Sequence, residues 1–222
     1  MKTTQIKKTA LTLIASSLLV STGFTSVYAE DDSVSANVSI ATDYVWRGFS
    51  QTLENPAVSG GFDWAPTDNW YVGTWASNVD YGDLANLELD VYGGWATELE
   101  SGLGIDLGFI QYVYFDHAAD YDFNEIYAGL SHSGFSGKLS YDTDNKNTYI
   151  EAGYDYELSN GISIGAHIGN YDFDLGGDYT DYSIGVSGSY AGLDYGLTFY
   201  DTDVDAVAEA DGRVVLSIGK SF

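Results

Sequence analysis

Ionisable side chains recur along this chain on alternating positions of apolar runs: Asp43, Asp63, Glu88, Asp90, Asp106, Glu151, Asp155 and Asp194 among the acids, Arg47, Lys138 and Arg213 among the bases, and His167. Carboxylates in such number concentrate cations, and the few bases can pair with them or screen like charge. They do not assemble into acid–base or nucleophilic machinery. His117 and His132 fall in a loop and near a turn, while His167 stands between Gly165 and Gly169, which supply neither base nor orienting group. With no cysteine there is no thiolate ligand and no disulfide. Asp201, Asp203 and Asp205 open like a calcium loop, but Ala206 replaces the turn glycine and Gly212 stands where the bidentate glutamate belongs. No catalytic residue, cofactor or dedicated metal site is expected, and the chain is not read as an enzyme.

The elements that carry these groups have a period of two. Val34, Ala36, Val38 and Ile40 oppose Ser35, Asn37 and Ser39 on a first strand that continues to about Gly48. Val58, Gly60, Phe62 and Trp64 oppose Asp63; Leu87, Leu89, Val91 and Trp95 oppose Glu88 and Asp90; Leu107 and Phe109 oppose Asp106. The pattern repeats with Ile150, Ala152 and Tyr154 against Glu151 and Asp155, then Ile164, Ala166 and Ile168 against His167, and Leu193 and Tyr195 against Asp194. The strand from Trp70 to Val79 is ambiguous in phase. The count is twelve, with ten the alternative if a weak pair is misread.

Tight turn sequences (Pro66–Asn69, Glu100–Gly102, Ser133-Gly134, Ser159–Gly161 and Ala191-Gly192) alternate with longer acidic connections near 50–56, 80–86, 115–121, 143–147, 171–180 and 201–211. An even number of strands then puts both termini on the short-turn side. Phe62, Trp64, Trp70, Trp95, Tyr156, Tyr190 and Phe222 fall near the short-turn ends, and Tyr44, Trp46, Tyr182 and Phe199 near the loop ends. Two aromatic girdles and alternating loop lengths imply an all-β, antiparallel, up-and-down transmembrane β-barrel. A soluble sandwich or lipocalin-like barrel shares the periodicity but would turn its apolar faces inward.

Residues 1–29 read as a signal peptide: Lys2, Lys7 and Lys8, an apolar core from Ala10 to Val20, and Val27-Tyr28-Ala29 before Glu30. Residues 30–222 then form the barrel. Removing the leader leaves Arg47, Lys138, Lys146, Arg213 and Lys220 against 33 acidic residues, a balance that argues against nucleic acid as a partner. With 19 Tyr, 10 Phe and 5 Trp the chain is too aromatic to be a disordered acidic segment.

The final stretch Val214–Phe222 alternates and stops on an aromatic, which resembles the last strand of bacterial outer-membrane proteins; the resemblance implies that Phe222 is the signal read by the barrel-assembly machinery. Lys220 departs from that pattern. The segment from Ala41 through Asp43, Tyr44, Trp46, Arg47, Gly48, Ser50 and Gln51 to Thr52, followed by Asn55-Pro56, is similar to the opening signature of the TorF-type porin family. That resemblance implies an outer-membrane, pore-like protein and supplies no catalytic residues.

On one strand, Asp43 and Arg47 would share the lumenal side, with Arg47 in reach of Asp43 or a cross-strand carboxylate; Arg47 and Arg213, at the outer ends of adjacent first and last strands, would form a small basic patch or each pair with carboxylates across the seam. Gly108, Gly153, Gly165, Gly185 and Gly196 would leave room beside them. Twelve strands imply a pore of about 5–10 Å. The expectation is a narrow outer-membrane porin for passive diffusion of small cationic or neutral solutes, lined by the residues above. Lipid and lipopolysaccharide of the bacterial outer membrane would surround it. The alternative is a non-conducting barrel whose acidic loops bind a partner or stabilise the envelope. Either barrel should migrate as a compact band in detergent gels that slows on heating, whereas a soluble sandwich would not need detergent to fold.

Overall fold

The computed structural model describes residues 33–82, 84–116 and 121–222; the expected signal peptide and His117 lie outside the described residues. Twelve antiparallel strands close into a barrel. They are β1 Ser33–Ala41, β2 Ala57–Ala65, β3 Trp70–Asn78, β4 Ala85–Glu98, β5 Gly104–Asp116 and β6 Phe123–His132, then β7 Phe135–Asp142, β8 Thr148–Glu157, β9 Ile162–Asp172, β10 Asp178–Tyr190, β11 Leu193–Thr202 and β12 Arg213–Ser221. Each strand pairs with its neighbours in sequence and β12 returns to β1, so no edge is left to be satisfied by lipid.

The seam runs from Asn37↔Ser221 to Ala41↔Ser217. Phe222 extends it, donating its N–H to Ala36 at 2.9 Å and accepting from Ala36 at 3.3 Å. Lys220 finds its place here: its ammonium lies 5.0 Å from the centre of the Phe222 ring. The cation thus sits on the aromatic at the strand end.

The expected apolar faces all point outward. Val34, Ile40, Phe62, Ile126, Ile150, Ile168, Ile184, Val214 and Phe222 are exposed, while Ser77, Glu88, Asp90, Asp106, Glu125 and Ser217 on the opposite faces are buried. The phase of β3 is settled by Trp70 and Val72 facing out and Tyr71, Trp75 and Ser77 facing in. An apolar exterior around a polar, charged interior inverts a soluble barrel and matches a lipid-embedded one. The short-turn girdle is as expected, with Tyr190 and Phe222 78% and 70% exposed. At the loop end Tyr182 and Phe199 face out, but Tyr44 is buried and Trp46 points inward.

That difference reflects a misread first strand. β1 ends at Ala41, not near Gly48; Thr42 keeps a last bond to Leu216 of β12, and residues 43–56 leave the wall. Val45-Trp46 and Phe49-Ser50 pair only with each other, joined by Arg47-Gly48. Both central residues have positive φ, +48° and +86°, as a type I′ turn demands. An extended strand cannot pass through such a pair. The connection 143–147 lies where expected, between β7 and β8, whereas pairing runs into the one after β9: Tyr171↔Tyr179 and Asp172↔Asp178 leave only 173–177 between β9 and β10.

Several lumen glycines are not open space. Tyr92 lies over Gly73, Tyr71 over Gly94, Tyr127 over Gly108 and Tyr149 over Gly169, and a Cβ at any of them would stand 2.0–2.5 Å from ring or hydroxyl atoms. The missing side chain lets a tyrosine lie flat against the wall. Room expected beside Gly108 is therefore taken by Tyr127. Because the exterior meets lipid, Ile184→Arg should cost about 2–4 kcal/mol in denaturant unfolding from vesicles. Ser183→Ala, on the lumen side of the same strand, should change stability by less than about 0.5 kcal/mol.

Candidate functional site

The lumen is dominated by the hairpin of residues 44–52, which folds into the barrel from the loop end. Its stem is built on Asp43, whose carboxylate accepts from the Ser50 hydroxyl at 2.7 Å and the Thr52 hydroxyl at 2.8 Å. Arg213, the first residue of β12, donates to the other Asp43 oxygen at 3.1 Å, lies 3.5 Å from Glu54, and donates to the carbonyls of Ala208 and Asp211. One guanidinium thereby staples the hairpin stem to the β11–β12 connection. On the far side the Asp80 N–H donates to the Gln51 carbonyl at 2.8 Å and the Tyr81 hydroxyl to the Gln51 side chain.

The tip carries the strongest contact. Arg47 makes a two-pronged bond to Glu125 on β6, 2.8 Å on each prong. Its guanidinium lies 4.3 Å from the ring centre of Trp46, 4.2 Å from Tyr149 on β8 and 5.2 Å from Tyr171 on β9. Burial works against the charge, but the Glu125 carboxylate outweighs it, so the guanidinium is held above its ordinary range and stays ionised. Trp46 meets Tyr112, Phe123 and Tyr171 edge-on, and Phe49 meets Tyr179 at 5.0 Å. Tyr44 packs on Trp75 at 5.3 Å and donates to Glu88 at 2.8 Å. Burial and the Glu88 charge push its phenol far above the usual range, so it remains a donor.

Two further groups line the wall. Lys138 on β7 lies 2.6 Å from Glu151 on β8; His167 on β9 lies 3.5 Å from Glu151 through Nδ1 and 3.1 Å from Asp181 on β10 through Nε2. The Tyr149 hydroxyl donates to Asp181 at 2.9 Å. On the opposite side Tyr71 donates to Asp106 at 2.7 Å and Tyr92 to Asp63 at 2.6 Å. Asp90 is buried, and among the described residues neither of its carboxylate oxygens has a hydrogen-bond partner. Among the described residues no group of three or more His, Cys, Asp or Glu could hold a metal ion.

Residues 28–222 match the family described as "Bacterial protein of unknown function (Gcw_chp)". The chain belongs to this family. No curated protein is similar to it in sequence. In structure it is similar to the KdgM porin (TM-score 0.62, 10% identity, 85% of this chain and 99% of the porin covered) and to the NanC porin (0.58, 9%, 84% and 98%). It is similar also to the COG4313 outer membrane channel from Pseudomonas putida F1 (0.52, 10%, 87% and 97%). The Gcw_chp chain thus has the outer-membrane porin fold.

Of the expected lining residues, Glu88, Asp90, Asp106, Glu151, Asp63 and His167 face the interior as read. Asp155 and Asp194 lie at the short-turn mouth, with Asp155 exposed and Asp194 accepting from Ser189. The basic patch of Arg47 with Arg213 does not form, and Arg47 does not reach Asp43; Arg213 instead pairs with a carboxylate across the seam, the other reading of the pair. The I′ turn carries Arg47 away to Glu125 and leaves Asp43 to Arg213. His167 is not isolated either: its acidic partners come from the neighbouring strands, not its own.

Glu125 and Asp181 were missed as lining residues. Their phase was available, since Glu125 alternates with outward Ile126 and Asp181 with outward Tyr182. Glu125→Gln strands the buried guanidinium and should weaken docking of the hairpin by about 3–5 kcal/mol. Gly48→Ala should loosen it with the ion pair chemically intact, because an added Cβ would stand 2.3 Å from Thr202 at φ +86°. Protease cleavage within residues 42–56 of the detergent-folded barrel, faster in both variants than in the parent, is the measurement.

Proposed function

We propose that this chain is a narrow, passive channel of the bacterial outer membrane, non-enzymatic, for small cationic or neutral solutes, with the inward hairpin as its constriction. The observation that carries the reading is a closed barrel with an apolar exterior and an acidic lumen into which its own first loop is folded. Residues 1–29 serve as the cleaved signal peptide, Phe222 as the mark for the assembly machinery, and lipopolysaccharide surrounds the loop end. The motif from Asp43 to Thr52 supports placement among TorF-type porins.

Charge preference follows from the interior. Asp43, Glu88, Asp90, Asp106, Glu125, Glu151 and Asp181 stand there against Arg47, Lys138 and Arg213, so acids outnumber bases and the field in the lumen favours positive solutes. The KdgM porin has been solved with disordered oligogalacturonate, an acidic sugar; the acid surplus here supports the opposite preference. His167 is held in the wall network, Nδ1 facing Glu151 and Nε2 shared between Asp181 and the Tyr149 hydroxyl.

A second reading, a barrel that does not conduct, is favoured by one feature: Trp46, Phe49 and Arg47 pack against the wall and obstruct the interior. Single-channel recording separates the two. The parent barrel should give small, cation-selective steps, and removal of residues 44–52 should raise conductance several-fold. Bilayers sealed by both proteins would establish the second reading, and reversal potentials favouring anions would overturn the charge preference.

A further inference from the structure

The guanidinium of Arg47 is recognised entirely by groups that do not belong to its hairpin, apart from Trp46 beside it. Glu125 is held in β6 between Ile110 of β5 and Asp142 of β7. Tyr149 lies over Gly169 and is oriented by its bonds to Asp181 and His167, and Tyr171 stacks on Tyr179 at 5.6 Å. The barrel wall therefore fixes a carboxylate and two aromatic faces in place, and the loop brings a cation to them. The backbone does not favour this visitor. Arg47 sits at φ +48°, the first central position of a I′ turn, where asparagine or glycine is at ease. What is recognised is the planar end of the side chain: both terminal nitrogens bind Glu125, while Nε is buried with no partner among the described residues. A free guanidinium ion presents the same fork and the same faces.

Asp90 supplies the second part. It is 1% exposed with neither oxygen bonded among the described residues, on the lumen face two residues from Glu88, and pairs across to Tyr112, on the strand next to that of Glu125. A cation in this part of the lumen while Arg47 is docked thus has a second acidic group with no bond to give up, two strands from Glu125 on the same interior face.

We propose that the cage of Glu125, Tyr149 and Tyr171 is a binding site for guanidinium-bearing solutes, that Arg47 is its tethered occupant, and that a solute exchanging onto Glu125 by way of Asp90 releases the hairpin. The inference rests on the lumen being a solute path, but binding and conduction are measured separately. The test is titration calorimetry of the detergent-folded barrel with methylguanidinium, against sodium and tetramethylammonium at equal ionic strength. Arg47→Asn suits the turn and empties the cage, so this variant should bind methylguanidinium at least tenfold more tightly than the parent. Adding Glu125→Gln should reverse the gain.

In the parent, saturating methylguanidinium should accelerate protease cleavage within residues 42–56, and tetramethylammonium should not. Equal affinity in parent and Arg47→Asn, indifference to Glu125→Gln, or sodium binding as tightly would overturn the proposal. Should Arg47→Asn give no heat-modifiable band, the cleavage experiment on the parent decides, and unchanged cleavage overturns it. A barrel that binds as described yet passes no current would remove the channel reading and leave the site standing.

Discussion

Everything in this molecule depends on closing the backbone ladder. In hydrocarbon an unpaired N–H or carbonyl has no water to turn to, so twelve strands must end where they began. Bonds in both directions between Phe222 and Ala36 carry the ladder to the last residue of the chain. Closure also dictates the chemistry of the side chains. Once one face of each strand is committed to lipid, every residue of the other phase is driven into one shared interior. Acids spaced along the chain as distantly as Asp63 and Asp181 then become inhabitants of a single lumen.

That crowding explains the abundance of tyrosine. The interior has few bases, and each is used: Arg47 on Glu125, Arg213 on Asp43 and Glu54, Lys138 on Glu151. The remaining carboxylates rely on neutral donors. Tyr44 serves Glu88, Tyr71 serves Asp106, Tyr92 serves Asp63 and Tyr149 serves Asp181. A phenol suits the task, because its hydroxyl satisfies the acid while its ring fills volume. Glycines at 73, 94, 108 and 169 let those rings lie against the wall. Asp90 is the exception to this scheme, which sets it apart from its neighbours.

The barrel was legible because its period is strict. Residues such as Val34, Ile150 and Ile184 alternate with small or charged partners over whole strands, and turn sequences such as Ser159–Gly161 mark the boundaries. The hairpin was not legible for the opposite reason. Val45, Trp46 and Phe49 are good strand formers, so the segment reads as a continuation of β1, and the deciding fact is a pair of positive φ values. Arg-Gly is a weak signal for a I′ turn, since arginine is held there by a distant carboxylate and not by its own backbone preference. Glu125 comes 78 positions later in the sequence. No local spacing could have paired them; only the curvature of the closed wall does.

The staple formed by Arg213 has a bearing on how the molecule is put together. The hairpin stem lies just beyond the end of β1, and Arg213 opens β12, so the two meet only along the seam that joins the first strand to the last. A finished ring would have to admit Trp46, Arg47 and Phe49 through a mouth already crowded by its own connections. Assembly is simpler in the other order: the loop settles onto β6, β8 and β9 while the sheet is still an open trough, and zipping of the seam then secures it. Circularising the sheet and installing its contents become one cooperative step.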